Sequence, residues 1–168
     1  MVAPDTFAKL LADHCEYFAV LPDSRSAHLV ASLRALVGPR VCQVSDEATA
    51  VGIAAGLTIA NQTCLLIIES SGLRRGFETL GRLSGSHGIQ PIVLATDRGA
   101  MGDSDWWAAT HHPHARSVAT ALGASTAELA ADLDPFQLSH AIASAVRHHR
   151  SQQVPVILWA APGLVDQP

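Results

Sequence analysis

Three observations predict an α/β fold, a three-layer doubly wound sheet of about six mainly parallel strands with helices on both faces. Apolar runs closed by turn residues alternate with amphipathic helical stretches along the whole chain, the pattern of successive βαβ units under right-handed crossovers. Residues 63–68 form a continuous β-branched and aliphatic run, which suits a strand covered on both faces inside a parallel sheet. The third is size: 168 residues, 48% of them hydrophobic, suffice for one domain with a full core.

Taken in order, Pro4-Asp5 opens a helix whose stripe is Phe7, Leu10, Leu11 and Cys15. A short strand over 17–21 is stopped by Pro22-Asp23-Ser24. A helix carrying Leu29, Val30, Leu33 and Leu36 then runs to Gly38-Pro39, where the chain must turn. The second strand is expected over 40–44, followed by a helix opened by Glu47. Asn61-Gln62 leads into the apolar strand of 63–68, and Phe77, Leu80 and Leu83 mark a helix ending near Ser84-Gly85. A fourth strand is predicted over 89–95. Residues 96–113 have no convincing period, and stretches of this length inside a compact domain tend to be functional or disordered. Trp106 and Trp107 argue against disorder. A helix over 114–122, a weak strand near 124–127, a well-signalled helix from Pro135 to about Arg150 and a last strand over 154–160 complete the chain.

Charge and composition exclude several classes of function. The net charge is -4 and Lys9 is the only lysine, so no basic stripe is available for nucleic acid or an anionic membrane. The N-terminal stripe is broken by Asp5, Lys9 and Asp13, unlike a signal peptide, and no apolar run approaches the roughly 20 residues that span a bilayer. A cytoplasmic protein is expected. Cys15, Cys42 and Cys64 lie in or beside apolar runs without a C-x-x-C pair and read as buried thiols. A mean hydropathy of +0.22 is high for a small monomer, and part of the surplus is expected to face another subunit.

In doubly wound sheets ligands bind beyond the carboxyl ends of the strands. Those ends carry Asp23-Ser24, Asp46-Glu47, Glu69-Ser70-Ser71-Gly72 and Asp97-Arg98-Gly99, so small, acidic and hydroxyl-bearing residues gather at one rim. Glu47 has two readings. Ser45 or Asp46 caps the helix and Glu47 merely favours its positive end, or Glu47 is a tuned acid or base walled by aliphatics. Gly52 and Gly56, four apart, read as a helix face that packs closely against a neighbour. Neither G-x-G-x-x-G nor G-x-x-x-x-G-K-[ST] occurs, and no nucleophile elbow G-x-S-x-G is present. In the run His111-His112-Pro113-His114 the proline interrupts the histidines, and no metal-ligand spacing supports them.

The stretches FAVLPDS at 18–24, SDEATAVGIAAGL at 45–57, ESSGL at 69–73 and DRGAMGDSD at 97–105 together resemble the pyrimidine-binding domain of thiamine diphosphate enzymes. The resemblance covers nearly the whole chain in order and is greatest to the separate alpha subunits of sulfopyruvate decarboxylase and the matching half of phosphonopyruvate decarboxylase. It implies that Glu47 binds N1′ of the cofactor's aminopyrimidine and shares a proton with it. It places Ser71 and Gly72 beside the pyrimidine, and Asp23, Ser24, Arg98 and His112 toward the substrate. The chain departs from its relatives at Ser70, where they often have asparagine, and at Arg74-Arg75, where they have glycine-asparagine. Trp106-Trp107 and His111-His112 stand where they show proline-glutamine-histidine.

The resemblance also implies a second domain in which an aspartate and a later asparagine hold Mg2+ on the diphosphate. This chain has one asparagine, Asn61, and no Gly-Asp-Gly; Gly102-Asp103-Ser104 is the nearest string. Residues 1–168 are therefore expected to be a single pyrimidine-binding domain. A beta subunit would supply the diphosphate-binding domain and the magnesium in an α2β2 or larger assembly. Expected substrates are small 2-keto acids, with Arg74, Arg75, Arg98 or His112 available for a phosphonate or sulfonate. The alternatives are a subunit that joins carbons instead of releasing an aldehyde, and a flavodoxin-like binding module without chemistry of its own.

Overall fold

The computed structural model describes residues 2–101, 103–152 and 154–166; Gly102 of the 97–105 stretch lies outside the described residues. Its core is one six-stranded sheet. In chain order the strands are β1 (Tyr17–Val20), β2 (Val41–Gln43), β3 (Cys64–Glu69), β4 (Ile92–Thr96), β5 (Ser125–Leu129) and β6 (Val156–Ala160). They lie side by side as β2-β1-β3-β4-β6-β5, and every neighbouring pair is parallel.

The helices are α1 (Pro4–His14), α2 (Ala27–Val37), α3 (Glu47–Ile59), α4 (Leu73–His87), α5 (His111–Ala121), α6 (Pro135–Ser151) and the single turn α7 (Pro162–Val165). Because successive side chains of a strand point to opposite faces, each central strand feeds two cores. Phe18, Val20, Leu65, Ile67, Leu94 and Leu158 meet Phe7 and Leu11 of α1, Leu29 and Leu33 of α2 and Leu138 and Ile142 of α6. Ala19, Leu66, Ile68, Val93, Ile157 and Trp159 meet Ala50, Val51 and Ala54 of α3, Leu73 and Leu80 of α4 and Ala115 and Ala119 of α5. This is the three-layer architecture expected of strands apolar on both faces.

From β1 the chain crosses through α2 to β2 on one side, whereas from β3 it crosses through α4 to β4 on the other. The connections thus diverge between β1 and β3, and such a switch point opens a crevice at the carboxyl ends of the strands.

Several boundaries differ from expectation for local reasons. Strand β4 begins at Ile92, just after Pro91, which lacks the N–H a ladder needs. Helix α4 runs on to His87 and stops at Gly88, whose φ of 64° gives the left-handed cap that glycine adopts freely. Helix α5 begins at His111, so Pro113 sits in its first turn and does not break the histidine run; first-turn N–H groups have no partner within the helix.

Two surface readings are corrected. Cys15 and Cys64 are buried, and burial pushes both thiols up to about 12. Cys42 is exposed, because β2 is an edge strand. Helix α3 packs through Glu47, Ala50, Val51, Ala54 and Ala55, while Gly52 and Gly56 turn outward with nothing within 4 Å of where a Cβ would stand. Among the described residues nothing packs closely on that stripe. Among the described residues no helix is long and apolar enough to cross a membrane.

Candidate functional site

The turn between β2 and α3 separates the two jobs that its sequence left combined. Asp46 is the N-cap: its carboxylate accepts from Thr49 N at 3.0 Å and from Thr49 Oγ1 at 2.5 Å. Those bonds hold its pKa below the ordinary value. Glu47 is thereby free of capping, and it turns inward to an exposure of only 6%. Its charge still favours the positive end of α3, but burial adds a cost that an exposed residue at the same place would not meet. Among the described residues its carboxylate is paired with one group, Nε of Arg75 at 3.2 Å. Buried polar groups nearly always have at least one partner, and the exposed Arg75 side chain is the one this carboxylate has.

The wall of this recess is made by absent side chains. Beta strand β3 ends in a 3₁₀ turn, Ser70–Gly72, that leads into α4. A Cβ on Gly72 would stand 2.7 Å from Oε1 of Glu47, and one on Gly76 would stand 3.8 Å from its Cβ. Gly72 has an ordinary φ of -67°. Its lack of a side chain therefore concerns room for the carboxylate and not backbone conformation.

Arg98 lies beyond the ends of β3 and β4, 1% exposed. Its Nε donates to Asp103 Oδ2 at 3.0 Å, its Nη1 meets Glu69 Oε2 at 3.4 Å, and its Nη2 donates to Asp105. Its backbone N–H donates to Ser70 Oγ at 3.2 Å, and its guanidinium carbon lies 5.0 Å from the centre of the Trp107 ring. Arg25 extends the network, pairing with Asp105 at 3.1 Å and with Asp166 at 2.6 Å. Burial works to raise the Asp103 pKa, but bonds from the Gly99 and Asp105 N–H groups and from Arg98 prevail and hold it at about 2. Gly99, with φ of 80°, passes so close to the carbonyl of Ala108 that a Cβ would stand 1.9 Å from its oxygen. The long connection after β4 is thus a folded strap closed by a 3₁₀ turn, Trp106–Thr110. Trp107 is held under Arg98 and edge-on to His111 at 5.7 Å, whereas Trp106 projects outward at 86% exposure.

The other expected residues occupy the same rim in separate arrangements. Asp23 accepts from Arg25 N at 2.8 Å, Ser26 N at 3.3 Å and Thr96 Oγ1 at 3.2 Å, which ties the end of β1 to that of β4. Ser24 is exposed on that turn. Ser71 Oγ donates to Glu69 Oε1 at 2.6 Å, linking the Gly72 turn to the Arg98 network. His112 Nδ1 lies 3.0 Å from Asp97 Oδ1, and the other oxygen of Asp97 takes Arg116 at 2.6 Å. Among the described residues no hydrogen bond or ion pair joins Asp23, Arg98 or His112 to Glu47 directly. The residues that sequence reasoning left without a role are Arg25, Asp97, Asp103 and Asp105. The acidic spacing within Gly-Asp-Ser-Asp was the available signal, but it carries no information about which arginine it holds.

Next to the Asp46 turn an open groove of about 930 Å³ is lined by Leu21, Pro22, Val44, Ser45, Thr49 and Ile53. Among the described residues no group of three His, Cys, Asp or Glu side chains is arranged to hold a metal ion, the His111–His114 run included.

No family model and no curated protein matches the chain significantly. Among solved structures it is similar to the 2-oxoglutarate:ferredoxin oxidoreductase from Magnetococcus marinus, in a structure with 2-oxoglutarate, coenzyme A and succinyl-CoA bound. The TM-score is 0.74 at 16% identity, over 98% of this chain and 30% of that one. The chain therefore shares its fold with a segment under a third of that chain's length.

Proposed function

We propose that this chain is the alpha subunit of a heteromeric thiamine diphosphate-dependent 2-keto acid decarboxylase that acts on phosphonopyruvate or sulfopyruvate and releases an aldehyde and carbon dioxide. The observation that carries the reading is Glu47, a recessed carboxylate at the switch-point rim with one exposed counter-ion and a glycine wall around it. Those features fit a flat aminopyrimidine edge whose ring nitrogen shares a proton with the acid, and Ser71 and Gly72 flank that edge. The cofactor, when bound, supplies the electron sink that a 2-keto acid needs in order to lose carbon dioxide. Glu47 holds and shares the proton at N1′, and a positioned acid or base of this kind is worth about 10²- to 10⁴-fold in rate. The diphosphate and its Mg2+ belong to a beta subunit, in an α2β2 or larger assembly with the cofactor between the chains.

Asp23, Ser24 and His112 are assigned to the substrate side of the rim. Arg98 joins them as a positioning residue, acting through the strap it holds. For a dianionic tail the exposed candidates are Arg74, whose Nη2 lies 3.3 Å from His111 Nδ1, and Arg75. The solved structure similar in fold has a 2-keto acid bound, which supports that substrate class. It also favours a second reading, in which the same site serves an enzyme that passes electrons to an acceptor and forms a thioester.

Affinity capture of the tagged chain from its host tests the proposal. The expected result is a stoichiometric partner carrying Gly-Asp-Gly and a downstream asparagine, with thiamine diphosphate and magnesium in the complex. Phosphonopyruvate or sulfopyruvate should then yield an aldehyde, and Glu47→Gln should nearly abolish turnover in a folded complex. Coenzyme A-dependent product would support the second reading, and a chain recovered alone and cofactor-free would end both.

A further inference from the structure

We propose that Arg75 is a removable mask on Glu47, which occupies the carboxylate until an aminopyrimidine displaces it; the inference rests on the reading of Glu47 given above. The two side chains are unequally placed. Glu47 is 8% exposed in its side chain and fixed by α3, with Oε1 against the Gly72 wall. Arg75 is 76% exposed and reaches Oε2 from the first turn of α4, at 3.2 Å through Nε. A ligand nitrogen that comes to share a proton with the carboxylate needs an oxygen on its open side, and that oxygen is the one Arg75 engages.

The exchange is easy in one direction only. Glu47 is turned inward against the Gly72 turn and Gly76 of α4, so of the two side chains it is the one held in place. Arg75 can swing into water with its charge fully hydrated. Arg74, its neighbour, is turned toward His111 and does not compete for the carboxylate. The other charged group close to this turn, Asp46, is bonded by Thr49 and is also drawn to the charge of Arg75, which helps to keep that guanidinium at the turn. Partly exposed pairs of this type hold their partners weakly, so the mask is expected to lower pyrimidine affinity by no more than about fivefold. Because one partner lies in water, the effect should shrink as salt rises.

The probe is the free hydroxymethyl aminopyrimidine moiety of thiamine, titrated into the full chain while the backbone amide signals of residues 47–51 are followed by NMR. Arg75→Gln should bind it up to about fivefold more tightly than the unaltered chain, with the advantage fading in high salt. Arg75→Lys should fall between them, and Glu47→Gln should lose binding with or without the Arg75 change. If Arg75→Gln binds no better than the unaltered chain while Glu47→Gln still loses binding, the mask is refuted and the pyrimidine site stands. If Glu47→Gln binds as well as the unaltered chain, or none of the variants binds, the assignment of Glu47 fails and the mask fails with it.

Discussion

Oε1 of Glu47 lies 2.7 Å from the point where a Cβ on Gly72 would stand. Real Cβ atoms do not tolerate that separation from an oxygen, so the start of α4 and the start of α3 are fitted to each other through the lack of a single methyl group. Gly72→Ala should therefore push the carboxylate out of its recess. Overpacking costs about 1–3 kcal/mol, and because the nearest atom is the far end of a flexible side chain the lower figure is the better guide. The prediction is specific to the pair: in a Glu47→Ala background, Gly72→Ala should cost much less, and a denaturant-melt double-mutant cycle should show the coupling. Equal costs in the two backgrounds would mean that the glycine answers to something other than Glu47.

Arg98 is expected to matter through the strap before it matters to any ligand. It meets Glu69, Asp103 and Asp105 at once from a buried position, and a lysine cannot reproduce that fork. Removing one side of a buried charge cluster costs about 3–5 kcal/mol; with Asp105 and Glu69 partly exposed, the lower figure is the better guide. Arg98→Met should lower the melting temperature by roughly 6–12 °C and alter the fluorescence of Trp107, which the guanidinium covers. A variant that kept its melting temperature but raised KM would show direct contact with substrate instead.

Much of the fold was legible because strands such as 63–68 and helices such as 135–150 carry strong period and boundary signals, and two apolar faces leave a parallel sheet little alternative. Boundaries near Pro91 and Pro113 are not legible in the sequence, because a proline's effect depends on its place in the element. The rim itself could be read, since four strand ends carried the polar residues. Which rim residues touch was not legible. Arg98 and Asp103 are near in sequence, but Arg25 with Asp166 and Asp23 with Thr96 are joined only by the way the strands are ordered. Glu47 can be singled out at its helix start, but its inward turn depends on Asp46 taking the cap, a choice the sequence leaves open between Ser45 and Asp46. The glycine pair at 52 and 56 misled because spacing reveals that two residues share a face and not which way that face points.

Gly99→Ala should damage the strap more than a Gly72 change damages the recess. Two penalties coincide there, a φ of 80° and a Cβ that would stand 1.9 Å from the Ala108 oxygen, a backbone atom with little freedom to move. A loss of about 2 kcal/mol or more is expected. It should be concentrated in residues 97–110, and hydrogen exchange would find those amides opened while the β3 and β4 amides stay protected. Protection unchanged across the strap would show that the close approach is not needed to close it.

The strap should also be sensitive to acid, through Asp103. Its folded pKa of about 2 lies below its ordinary value of 3.8, so the carboxylate binds protons less readily in the folded chain than in the unfolded one. Stability from this group is therefore fully present above the unfolded value and is lost as pH falls from about 4 through about 2. Burial opposes the shift, and the Gly99, Asp105 and Arg98 donors produce it. Asp103→Asn keeps the shape but not the charge, so it should be less stable than the unaltered chain near neutrality. The gap in melting temperature should narrow across that window, while Trp107 fluorescence reports the strap. A gap that stayed constant down to pH 2 would mean that the charge of Asp103 contributes nothing to holding it closed.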